Sequence, residues 1–326
     1  MTIRTLLSAA ALAAAMLPAA AAPGPYAVAE RIALDAAGRW DYAAIDASHR
    51  RLYLSHGDHV DAVDLATRQR IGTIRDTAGV HGIAFAPEAG LGFTTNGASN
   101  SVTVFDLGNL AVRTVIALSG KKPDALIYVA AVDKLYVFDG GSNEIEIIDT
   151  RRLERVASIP TSGRPEFAVT DGRGRIYYNI EDHAAIDVVD TRSDRRVATW
   201  PLAGCEEPSG LAIDVAHQRL YSSCQNRVMA VTDAASGQRA ASFAIGVHPD
   251  TVAFDAAAGR IITSCGGGTL SVATEIDADH YEVQDELATA KGAKTMAYDP
   301  ADRSVYLPTA IDGTFTVLVA KLRPAP

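Results

Sequence analysis

The sequence predicts an all-β protein, a seven-bladed β-propeller of four-stranded blades, and three observations predict it. A short segment recurs along the chain at near-constant spacing. Each copy is preceded by two stretches that alternate polar and apolar residues between turn residues, the mark of short strands. The i, i+3, i+4, i+7 apolar pattern of a helical repeat is absent from these units. The composition is that of a globular chain, with 48% hydrophobic and 21% charged residues among 326.

The N-terminal piece stands apart. Arg4 is the only charge before Glu30, Leu6 to Leu17 is a short apolar core, and small residues follow Pro18. This three-part layout predicts a cleaved signal peptide over residues 1–22, with cleavage near Ala21. The apolar run is too short and Ala-rich for the roughly 20 residues that a span needs. Residues 23–326 are then one exported propeller, periplasmic or secreted.

The recurring segment reads AVDLATRQRIGTI at 62–74, VFDLGNLAVRTVI at 104–116, IIDTRRLERVASI at 147–159, VVDTRSDRRVATW at 188–200 and VTDAASGQRAASF at 231–243. Its marker residues Asp64, Asp106, Asp149, Asp190 and Asp233 lie 42, 43, 41 and 43 residues apart. Degenerate copies follow at Ser271–Thr274 and Val317–Ala320. Four short strands in about 42 residues make a propeller blade. The units begin near Gly38, Gly79, Gly120, Gly163, Gly204, Gly246 and Ala290. The last stops after its third strand, so YAVAERIAL at 26–34 is expected to supply the fourth and close the ring.

The apolar-apolar-Asp-Thr marker resembles that of the YVTN-type, YncE-like propellers, over essentially the whole mature chain. Gly79-Val80-His81-Gly82, Asn179-Ile180-Glu181-Asp182 and Cys205-Glu206-Glu207-Pro208 look like an exported subgroup of them. The resemblance implies an exported WD40/YVTN repeat-like propeller. It implies little about activity, since related propellers include lactonases, lyases and pure binding proteins.

Charge and motifs narrow the function. A net charge of −9 makes a poor ligand for nucleic-acid phosphates. No nucleotide cofactor is expected: no G-x-G-x-x-G opens a helix and no Gly-Lys phosphate loop is present. A monomer is expected, and no membrane span.

A site should sit where loops lead into the inner strands, at one mouth of the central channel. Those positions, with the turns between second and third strands, give a candidate funnel of Arg39, Asp41, His56, His81, Lys122, Asp124, Arg164, Glu207, His248, Asp250 and Lys294. Glu166, Glu181 and Glu206 fall in adjacent blades four and five and are the candidate acid–base groups, because crowded carboxylates raise one another's pKa. The arginines and lysines facing them suit a substrate carboxylate or an oxyanion. A metal held by His56, His81 and His248 is a weaker reading: no H-x-x-x-H or C-x-x-C spacing is present, and no metal residues are assigned. The main expectation is a binding or scaffold protein for a polar small molecule or a periplasmic protein. The alternative is a lactonase-like hydrolase or lyase. Cys205 and Cys224 lie on neighbouring antiparallel strands and are expected to form a disulfide, with Cys265 a small, half-buried thiol.

Overall fold

The computed structural model describes residues 24–324. The expected signal peptide lies outside them. Seven four-stranded antiparallel sheets form the ring of a β-propeller. The inner strands are Trp40–Asp46, Val80–Ala86, Pro123–Val129, Pro165–Thr170, Pro208–Asp214, Pro249–Asp255 and Ala297–Asp299. In the seventh sheet the strand Tyr26–Ala36 pairs with the C-terminal strand Thr314–Leu322. Among the described residues no helix is long and apolar enough to cross a membrane.

The core lies between blades. Second strands are buried on both faces, as in Leu52, Tyr53, Leu54 and Ser55. An aromatic ring recurs at their third position in Tyr53, Phe93, Tyr136, Tyr177, Tyr221 and Tyr306. These rings meet aromatics of neighbouring strands, Tyr53 with Phe85 at 5.1 Å and Tyr221 with Phe254 at 5.4 Å.

The marker aspartates have a structural cause. Asp64 Oδ1 accepts the backbone N–H groups of Ala66 and Thr67, and Asp106, Asp149, Asp190 and Asp233 do the same two and three residues ahead. Each turn then closes through a left-handed residue: Arg68, Leu110, Leu153, Asp194 or Gly237. The Asp side chain holds the turn between third and fourth strands, which is why it repeats.

Pairing slips at the start of the inner strands. Asp41 and Tyr42 together oppose Ser55, because Trp40 pairs with His56 and Ala43 with Leu54. The same two-against-one bulge holds His81 with Gly82, Asp124 with Ala125, Glu166 with Phe167, and Ser209 with Gly210. A bulge re-aims side chains, so here both residues can turn toward the channel mouth. Gly82 and Gly210 are there because a Cβ would strike the next inner strand, at the carbonyls of Asp124 and Asp250.

Candidate functional site

The residue that opens each bulge, read blade by blade, is Asp41, His81, Asp124, Glu166, Ser209, Asp250 and, by sequence position, Lys294. Their backbone is tied across the blade seams. Ser55 donates to the His81 carbonyl, Thr95 to Asp124 at 2.5 Å, Asn179 to Ser209 at 2.9 Å, Ser264 to Lys294 at 2.5 Å and Thr295 to Asp41. These bonds fix the ring before any ligand arrives.

Six of the seven, all but His81, line one cavity of about 500 Å³, together with Tyr42, Phe167, Glu181, Gln225 and His248. Its size is that of a small-molecule site. Tyr42 of blade one and Phe167 of blade four stack at 4.8 Å and 23°. Blades one and four are not adjacent, so this pair reaches across the channel.

The electrostatics divide the ring. Lys294 Nζ bridges Asp41 Oδ1 at 3.1 Å and Asp250 Oδ2 at 3.0 Å. Burial opposes its charge, but Asp250 and Asp41 outweigh that and raise its pKa. His81 Nδ1 meets Asp41 Oδ2 at 2.6 Å, and that hydrogen bond, against burial, raises the imidazole pKa. Burial would raise Asp41, yet His81 and Lys294 hold it below the usual carboxylate range. Ser209 Oγ donates to Asp250 Oδ1 at 2.6 Å.

Asp124 and Glu166 fare differently. Among the described residues Asp124 has one ion-pair partner, His81 at 3.8 Å. Burial, then Asp41, pushes Asp124 up to about 6. Burial, then Asp124, pushes Glu166 up to about 8, with Arg164 3.8 Å away only partly offsetting it. The Tyr42 hydroxyl stays protonated, held up by burial and by Asp124, Asp41, Glu166 and Asp250. The site therefore contains two carboxyls of raised pKa beside a charge-paired half.

The remaining sequence candidates fall elsewhere. His56 is 5% exposed in the core, with Asp61 at 3.3 Å and Phe315 at 4.3 Å between ring centres. It ends a second strand, whose faces both point at neighbouring blades. Arg39 borders a small separate recess with Trp40 and His81. The Lys122 amide donates to Asn100 Oδ1 in an exposed left-handed turn. Glu206 and Glu207 share an outer depression with Glu181 and Asp182, so of the three candidate acid–base groups only Glu166 and Glu181 border the channel cavity. Arg164 lies at the rim, paired with Glu181. His56, His81 and His248 do not converge: His56 groups with His59 and Asp61, and His81 with Asp41 and Asp124. Cys205 and Cys224 form a disulfide with Cα atoms 5.3 Å apart, and Cys265 is free and buried. Tyr42 and Phe167 escape strand alternation, because the bulge adds a second channel-facing position.

No protein-family model and no curated protein sequence matches the chain. Solved structures do. Hydrazine synthase of Kuenenia stuttgartiensis is similar with a TM-score of 0.75 and 17% identity, over 88% of this chain and 97% of that one. A structure of U3-55K is similar with a TM-score of 0.78 and 6% identity, over 90% and 98%. The WD40 repeats of RRP9 are similar with a TM-score of 0.79 and 7% identity, over 92% and 99%. At these identities the likeness is one of fold: this chain is a β-propeller.

Proposed function

We propose that the chain is an exported, YVTN-type propeller whose channel mouth binds a small polar molecule through a cationic amine. One observation carries this reading: Asp124 and Glu166, neighbours in the ring, have pKa values raised by burial and by neighbouring carboxylates, and among the described residues their nearest cationic side chains are His81 and Arg164, each at 3.8 Å, so a bound ammonium would favour their charged forms. The 500 Å³ cavity suits such a ligand, and Tyr42 and Phe167 offer an apolar floor for its carbon chain. Export is supported by the layout of residues 1–22 and by the Cys205–Cys224 disulfide, which belongs to an oxidising compartment.

The test is calorimetric titration with 1,4-diaminobutane, with succinate as the opposite charge. The diamine is expected to bind, and more tightly as pH rises from 5 to 9, since Asp124 and Glu166 ionise through about 6 and about 8. Glu166→Gln and Asp124→Asn should each weaken binding about tenfold, the loss of one charge-assisted contact. Binding of succinate with no binding of the diamine sinks the proposal.

A second reading rests on the same pair. A carboxyl near pKa 8 beside one near 6 is a general acid beside a base, as a hydrolase or lyase requires. Hydrolysis of a simple lactone, abolished in Glu166→Gln with the fold intact, would select it.

A further inference from the structure

We infer that the chain carries a divalent transition-metal site, of the kind zinc occupies, formed by Asp214, His217 and Glu275 at the seam of blades five and six. It is distinct from the channel mouth. Asp214 ends the inner strand whose second residue is Ser209, about 17 Å away at 3.3 Å per residue. His217 follows in the turn before strand Arg219–Cys224, and Glu275 comes from the third strand of blade six. One ligand atom from each of the three lies within 4.8 Å of the others.

The two carboxylates are the reason to invoke a cation. Their side chains are only 4% and 3% exposed, and among the described residues Asp214 Oδ2 and Glu275 Oε1 have no partner other than the His217 ring. Both point at the same atom, His217 Nδ1, at 2.7 and 3.0 Å. Among the described residues neither pairs with a lysine or arginine. Two buried carboxylates against one imidazole are a cost that protonation or a bound cation must relieve.

Neighbouring blades show what is missing. The equivalent Asp299 has Arg50 at 2.7 Å, and Asp255 has Arg303 at 3.7 Å and Arg260 at 4.0 Å. At the seam facing Asp214, the position held by Arg50 and Arg303 is Gly259, and Arg219, the counterpart of Arg260, is turned away to Asp233 at 2.7 Å and Asp279 at 3.1 Å. A carboxylate, Glu275, stands where its neighbours receive a guanidinium. Among the described residues the other two clusters of three His, Asp or Glu residues already hold a fixed cation: Arg70 reaches Asp61 at 3.3 Å, and Lys294 reaches Asp41.

The donor set fits the metal class. One imidazole and two carboxylates suit zinc, and a three-residue shell leaves a position for water. Bonds of about 2.1 Å in a tetrahedral shell need ligand atoms about 3.4 Å apart, so His217 must withdraw by under 1 Å. Its side chain is 58% exposed and free to do so. The ion would join blade five to the extended hairpin of blade six, Thr269–Asp277 and His280–Ala288.

The test uses the mature chain stripped with chelator, titrated with Zn²⁺ by calorimetry and with Co²⁺ by visible absorption. One equivalent of Zn²⁺ should bind and raise the melting temperature. His217→Ala, a surface change, and Glu275→Gln should each lower affinity at least about tenfold. His59→Ala and His81→Ala should leave it within about twofold, being outside the ligand shell. The inference is overturned if the chain takes up no zinc, if His217→Ala binds as the parent does, or if binding is lost with His59 or His81 instead. None of these results depends on the channel-mouth ligand.

Discussion

Individual residues here hold protons for identifiable reasons. Asp139, last in a second strand of blade three, is fully buried, and neither carboxylate oxygen has a partner. Burial, then Glu146 and Glu144, pushes it up to about 8. Its folded pKa exceeds its unfolded one, so its contribution is complete below about 4 and is lost as pH rises through about 8. Asp139→Asn should therefore stabilise the protein at pH 9, by on the order of 1–3 kcal/mol, and do little at pH 4. Urea unfolding at both pH values checks it; equal effects at the two would refute the buried-acid account. The polar ring was legible because each member sits at a repeated loop-to-strand junction. Tyr42 and Phe167 were not, since period-two alternation turns one of any two successive residues away from the channel. Nor was the place of His56, because its strand is buried on both faces.

Elements are held by local devices that the repeat displays. Asp190 Oδ1 accepts the N–H groups of Arg192 and Ser193 and the Ser193 hydroxyl. Asp190→Ala should cost about 1 kcal/mol, as loss of a comparable side-chain cap does. Because the turn is exposed, the denaturant slope should stay constant while the midpoint falls. A loss under a few tenths would mean the backbone holds the turn unaided. In blade five the Cys205–Cys224 link joins residues 19 apart in sequence. In the chain-entropy view such a loop contributes about 3 kcal/mol, so reducing agent should lower the melting temperature clearly. In Cys224→Ser the reductant effect should vanish, and in Cys265→Ser it should persist. These elements were readable because turn chemistry is local. The bulges were less so, since they depend on how one blade's inner strand must pass its neighbour, as at Gly210 against Asp250.

At the scale of the molecule, the repeat phase reads almost directly as seven sheets, whereas no sequence period reveals which seam leaves carboxylates without a cation. The ring also sets a particular vulnerability. The seventh sheet takes Tyr26–Ala36 from one end of the described chain and the strands through Leu322 from the other. Tyr26 is fully buried and Ile32 is 5% exposed, in two different core clusters. Glu30 adds ion pairs to Arg68 and Lys321. Without Tyr26–Ala36, the strand Thr314–Leu322 would present the apolar run Phe315 to Ala320 as an open, hydrogen-bond-hungry edge. Open edges of this kind pair with other chains. A chain starting at residue 38 should therefore melt well below the parent and elute as oligomers in size exclusion. Adding a synthetic peptide of residues 24–37 should restore the monomer by strand addition. A monomeric truncated chain with the parent's melting temperature would show instead that the blade holds on its other three strands, and that the N-terminal strand is a cover and not a closure.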